Sequence, residues 1–240
     1  MTLLIETGLT RFKYGRLVDR ELTQVDTLIG GSSAAEPPWA SSLARLAPTP
    51  RAVFIANGAS PSLRPRLAEW IRRAWHIDPT FIKPDRGELK AMPIERYLAL
   101  VAARARRLNP CLIVTADVTI GIDLISADGR RAGAWTLPGD RPMREALYAQ
   151  TSGIAAAALL DAPVVEGGFG VNTAGAVQEG ARLSIASLIV AIVQRQDAAL
   201  PVIATGRYAI DAVRFVESET QIAEHLSLEG LAHLVNEGLV

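Results

Sequence analysis

Glu95 followed by Arg96 sets a carboxylate, a group able to accept a proton, beside a guanidinium. Asn172-Thr173 opens a segment of helical periodicity, and the free amides of a helix start suit a carboxylate or a hydroxyl. The same residues have a plainer reading, Glu95 and Arg96 as charges of a first helical turn and Thr173 as an N-cap. Other chemistries lack their motifs. No Gly-x-x-x-x-Gly-Lys-Ser/Thr loop, Gly-x-Ser-x-Gly elbow or Gly-x-Gly-x-x-Gly fingerprint occurs. Gly167-Gly168-Phe169-Gly170 is glycine-rich but has no strand directly before it, so it reads as a loop. His76, His225 and His233 stand without metal-ligand spacing to one another or to Cys111, and no zinc site is expected.

Composition bounds the rest. The chain has 240 residues, 49% of them apolar and 21% charged, which suffices for a substantial core. Its 25 basic residues balance 25 acidic ones, so no general attraction to nucleic acid or to an anionic membrane is expected. The runs Arg72-Arg73 and Arg104/Arg106/Arg107 fall at helical spacing among apolar residues and read as solvated helix faces. The single cysteine, Cys111, lies in an apolar strand-like run, which implies a reducing, cytoplasmic setting. The N-terminus lacks a signal-peptide pattern, and the most apolar window, Ile185 to Val193, is shorter than a bilayer needs. Neither export nor membrane insertion is expected.

The elements that must position these residues alternate. Leu3–Ile5 is a short buried strand running into Glu6-Thr7-Gly8, and a second strand follows over Thr10–Tyr14. A weaker segment from Asp19 to Pro50 holds Gly30-Gly31, Pro37-Pro38 and a short helix near Trp39–Leu46. Then come a strand at Ala52–Ile55, a helix over Pro61–Trp75, a short strand at Phe81-Ile82 and a helix over Ile94–Leu108. The second half repeats the plan: a strand at Cys111–Val114, a strand over Val118–Ser126, a turn at Asp128-Gly129 and a strand at Ala132–Thr136. Helices over Pro142–Leu160 and Thr173–Gln194, a strand at Val202–Ala204 and a last helix over Ser227–Asn236, capped by Ser227, complete it. Strands alternating with helices predict an α/β fold of two related halves, residues 1–109 and 110–240.

Five segments, in order, carry a resemblance to type III pantothenate kinases. Leu3-Leu-Ile-Glu-Thr-Gly-Leu-Thr-Arg-Phe-Lys13 is similar to that family's opening, Asp-x-Gly-Asn-Thr/Ser-Arg-x-Lys. Pro93-Ile-Glu-Arg96 resembles its Gly-x-Asp-Arg. Ile122–Gly129 with Gly133–Gly139 and Met143–Leu147 resembles its hairpin and following helix, Asn172–Gly180 its Asn/Asp-Thr-x-x-Ala-x-x-x-Gly helix start, and Leu228–Leu231 its last helix. The resemblance implies the duplicated acetate-kinase/sugar-kinase/Hsp70/actin-like, ribonuclease H-like fold and a homodimer that phosphorylates pantothenate from ATP, with Mg²⁺ and a monovalent cation, toward coenzyme A. It also implies site roles: Glu6, Gly8, Thr10 and Lys13 at a first phosphate turn, with Glu6 toward the metal; Asp117, Thr119 and Asp123 at a second; Glu95 as the base; and Arg96 with Thr173, the latter from the neighbouring subunit, on pantothenate.

The chain departs from the pattern where phosphate should sit. The family's aspartate is Glu6 here, displaced by a methylene, and its asparagine is Leu9. Where the family reads Asp-x-Gly-Thr-Ala-x-Thr-x-Asp, this chain has Thr115-Ala-Asp-Val-Thr-Ile-Gly-Ile-Asp123, which puts Asp117 in place of a glycine. A carboxylate about 4 Å from a phosphate repels it by about 4 kcal/mol at an effective dielectric of 20. A later Gly-Gly is Gly206-Arg207, and the glycine before the base is Pro93. Phosphoryl transfer depends on close backbone approach and placed charge, so these changes imply a non-catalytic or altered-function binding or regulatory homologue. The alternative is a working ATP-dependent kinase of pantothenate or a related hydroxy acid.

Overall fold

The computed structural model describes residues 1–8, 10–29, 38–84, 92–151, 168–196 and 200–240. Leu9, Gly30-Gly31, Pro37, Gly167 and the expected helical stretch after 151 lie outside them. The chain folds as two compact units, residues 1–107 with 225–240, and residues 108–224. The last helix thus groups with the first unit rather than with the second half in which the sequence division put it.

In the first unit, β1 (Thr2–Thr7) is the centre of a five-stranded sheet. β2 (Arg11–Val18) and β3 (Glu21–Ile29) extend it antiparallel on one side, and β4 (Ala52–Asn57) and β5 (Thr80–Ile82) extend it parallel on the other. Alternation along β1 dictates the two cores. Leu3 and Ile5 point to the face covered by α1 (Pro38–Ala44) and α2 (Leu63–Trp75), through Trp39, Leu43, Leu67 and Ile71. Leu4 points to the opposite face, covered by α3 (Ile94–Ala105) and α7 (Leu226–Asn236) through Leu98, Leu228 and Leu231. α7 reaches α3 closely because it carries Gly230, where a Cβ would collide with the Leu98 carbonyl. Arg106 and Glu229 join the same two helices by an ion pair.

The second unit repeats this arrangement. β6 (Cys111–Ala116) is central, with β7 (Thr119–Ile125) and β8 (Arg131–Pro138) antiparallel on one side and β9 (Val202–Thr205) and β10 (Thr220–Ile222) parallel on the other. Read from the edges inward the strand orders are β3-β2-β1-β4-β5 and β8-β7-β6-β9-β10, the same topology twice. Leu112, Val114, Ile120 and Ile122 pack against Ile185, Ile189 and Ile192 of α5 (Thr173–Gln194) and against α6 (Ala209–Ala212). α4 (Asp140–Gln150) lies beside α5. α5 is longer than its apolar window suggested: by length and composition its 22 residues could cross a membrane, but its Ile185-Ala186-Ile189-Ile192 stripe is buried in this core.

β3, α6 and β10 have no counterpart in the sequence expectation. Several boundaries also move. α3 stops at Ala105 rather than Leu108, and α4 starts at Asp140 rather than Pro142 and ends at Gln150, where Thr151 is already extended.

Candidate functional site

The first unit gathers its candidate residues where β1 and β4 end side by side. Thr7 and Asn57 are register partners there, with Thr7 Oγ1 donating to Asn57 Oδ1 at 2.5 Å. Gly8 begins a tight turn, its amide donating to the Arg11 carbonyl at 2.8 Å, and the Gly58 amide donates to the Thr7 carbonyl at 2.8 Å. Thr10, in that turn, is exposed. Glu6 points to the α7 side of the sheet and is buried. Its Oε2 accepts from Ser227 Oγ at 2.5 Å and lies 3.6 Å from Nζ of Lys13, its register partner on β2, which is buried as well. Ser227 therefore does not cap its helix: α7 starts from His225, and the hydroxyl is turned onto Glu6 instead.

Glu95 stands half-buried in the first turn of α3, after an extended Pro93. It reaches the same strand ends, for a Cβ on Gly58 would lie 2.9 Å from Glu95 Oε2 and 3.3 Å from the Thr7 carbonyl. Gly58 thus lets a carboxylate settle against the backbone at the β4 terminus, a role the sequence analysis did not assign it. Arg96, the residue after Glu95, is buried.

In the second unit the β6–β7 turn holds Asp117 and exposed Thr119, with the Asp117 amide donating to the Thr119 carbonyl at 3.1 Å. Two neighbours press on it. Gly139, just before α4, donates its amide to the Val118 carbonyl at 2.9 Å, and a side chain there would strike the Asp117 and Val118 carbonyls. Gly206, after β9, adopts φ +103 and packs against the Ala116 carbonyl, which accepts from the Tyr208 amide at 2.9 Å. The Asp117 carboxylate accepts from the Arg207 amide at 3.2 Å. Asp123 does not join this turn. It lies four residues along β7, about 13 Å from Thr119 at strand rise, buried and paired with Arg131 Nε at 2.6 Å.

Thr173 is the exposed first residue of α5, and the cap is Asn172, whose Oδ1 accepts from the Gly175 amide at 2.8 Å. It lines an open groove of ≈ 820 Å³ between α4 and α5, with Met143, Leu147, Val177 and Ser184 among its other walls. Asp140 and Arg144 of α4 and Glu179 and Arg182 of α5 belong to a largely buried charge cluster that the sequence reading missed. Asp140 pairs with Arg144 at 3.1 Å and with Arg182 at 3.8 Å, Arg182 pairs with Glu179 at 3.4 Å, and Arg214 pairs with Glu179 at 3.6 Å. The sequence signal for it was available in the i,i+4 spacing of Asp140 and Arg144 and the i,i+3 spacing of Glu179 and Arg182.

The type III pantothenate kinase family model matches residues 2–195. The chain belongs to the type III pantothenate kinase family. A type III pantothenate kinase of Methylibium petroleiphilum is 32% identical over 217 residues, covering 79% of each chain. One of Azoarcus sp. is 28% identical over 246 residues, covering 97% of this chain and 89% of the relative. Among solved structures, a Campylobacter jejuni protein described as a Baf family transcriptional activator superposes with TM-score 0.63 at 18% identity, covering 99% of this chain and 98% of the other. The activator of 2-hydroxyisocaproyl-CoA dehydratase from Clostridium difficile, solved with bound ADPNP, superposes at 0.56 and 12% identity over 99% and 95%. Such likenesses establish the fold, the acetate-kinase/sugar-kinase/Hsp70-like duplication that the two sheets display. Membership in a type III pantothenate kinase family implies ATP as the family's phosphoryl donor and coenzyme A biosynthesis as its setting.

Proposed function

We propose that this chain is a non-catalytic member of the type III pantothenate kinase family that binds a pantothenate-like hydroxy acid in a binding or regulatory role. The carrying observation is Asp117, seated at the turn where the family has a glycine and hemmed in by Gly139 and Gly206. Glycine serves a phosphate turn because nothing stands between its amide and the ligand; an anionic side chain both fills that approach and repels polyphosphate.

The first turn supports the same reading. The Glu6 carboxylate is committed to Lys13 and Ser227, and among the described residues no three His, Cys, Asp or Glu side chains gather as a metal-binding group. Glu6, the residue to which the resemblance gives the Mg²⁺ role, is paired with a buried ammonium and a hydroxyl and so does not fit a metal ligand as it stands. The acid side is better kept. Glu95 is held against Gly58, where it can accept a hydrogen bond from a ligand hydroxyl. That placement also favours the second reading, a kinase with a rebuilt nucleotide turn.

We assign the α4–α5 face to a two-fold homodimer. Leu147, Tyr148 and Leu183 are exposed beside the groove that holds Thr173, and a self-complementary contact would cover them. Burial of the lone thiol Cys111 fits a cytoplasmic setting. Calorimetry tests the ligand assignment: pantothenate is expected to give a saturable heat that Glu95→Ala removes, and ATP none. Saturable ATP heat in the wild-type chain would favour the kinase reading.

A further inference from the structure

Two consecutive amides after β9 bind the β6–β7 turn by different means. The Tyr208 amide donates to a backbone carbonyl, that of Ala116, at 2.9 Å, a contact that any residue at 116 could supply. The Arg207 amide donates to a side chain, Asp117 Oδ1, at 3.2 Å, across 90 positions of sequence. Gly206 at φ +103 brings the two turns together closely enough for both bonds. The backbone contact therefore fixes the geometry, and the carboxylate takes one outward-facing donor within it. Arg207 and Thr119 on either side are exposed, so solvent and solutes reach this donor's surroundings.

We propose that Asp117 is an internal anion that competes with phosphoryl oxygens for the Arg207 amide, so that the turn accepts a phosphate only when this carboxylate is displaced or removed. The proposal rests on reading residues 116–119 as the counterpart of the family's second phosphate turn. The Arg207 amide is the donor a phosphoryl oxygen would use at this turn, and the chain's own carboxylate already takes it. Losing Asp117 should then open the site without dismantling it, because the Tyr208–Ala116 bond and the Gly206 packing do not depend on that side chain.

The test uses the full-length chain labelled with ¹⁵N, following the Arg207 amide resonance during separate titrations with inorganic phosphate and with ATP. In Asp117→Ala the midpoint for both is expected to fall at least tenfold relative to wild type. Asp117→Asn, which keeps the side chain's shape and loses its charge, guards against misfolding and should fall between the two. A gain with ATP alone would support the proposal and place the competing group in the nucleotide. Equal midpoints in wild type and both variants would overturn it, as would an Arg207 resonance that does not move when the carboxylate is removed. Pantothenate turnover by the wild-type chain would count against the proposed function, whereas equal midpoints count against this inference.

Discussion

Glu6 and Lys13 face each other across the first hairpin as register partners, Oε2 3.6 Å from Nζ, with side-chain exposures of 10% and 7%. Ser227, carried in by the last helix, completes the shell around the carboxylate. A buried carboxylate whose partner is cut away is left uncompensated, which typically costs 3–5 kcal/mol. Lys13→Met should therefore lower unfolding stability by about 3 kcal/mol in a urea melt. A loss below about 1 kcal/mol, the range of exposed pairs, would mean that the pair does not anchor the hairpin.

The buried cluster in the second unit predicts a contrast between two pairs. Asp140 and Arg144 expose only 2% and 4% of their side chains, whereas Glu69 and Arg73 on α2 expose 58% and 79% at the same i,i+4 spacing. Asp140→Ala should cost about 3 kcal/mol and Glu69→Ala about 0.5 kcal/mol or less. Similar losses at the two sites would contradict the burial argument.

Gly230 tests what brings residues 225–240 into the first unit. A methyl group there meets the Leu98 backbone carbonyl, which cannot swing aside as a side chain would. Gly230→Ala should destabilise the protein by about 1–3 kcal/mol through overpacking, even though alanine is the better helix former. A neutral or stabilising result in thermal melts would mean that α7 can shift away from α3 freely.

The duplicated fold was largely legible because its central strands are continuous apolar runs: Leu3–Ile5, Ala52–Ile55, Cys111–Val114 and Val202–Ala204 all lie in strands. β3 escaped because it is a half-exposed edge strand, with the polar residues Thr23, Gln24, Asp26 and Thr27 breaking any apolar run. β10 and α6 are three and four residues long, too short to set a period. Motif position placed Glu6, Glu95 and Asp117 at strand or helix ends, yet it could not show what each touches. Ser227 reads as a helix cap until the fold brings Glu6 beside it, and Asp123, in register with a motif, is a mid-strand ion pair with Arg131.

Cys111 gives a pH prediction. Burial pushes its thiol up from 9.0 to about 11, so the folded state holds the proton more tightly than the unfolded chain. The stability this supplies is complete below pH 9.0 and is lost as the pH rises toward 11. Cys111→Ala removes that contribution, so the stability gap between wild type and variant in urea melts should narrow between pH 9.0 and about 11. A gap that stays constant or widens over that interval would show that the thiol does not carry this dependence.

Turnover decides whether the Asp117 turn can seat a nucleotide. Purified protein given pantothenate, ATP, Mg²⁺ and a potassium or ammonium salt should release no ADP above a protein-free control in a coupled assay, and mass spectrometry should find no phosphopantothenate. Phosphopantothenate forming in proportion to protein concentration would contradict the account, because a turn filled by Asp117 would then be seating ATP productively.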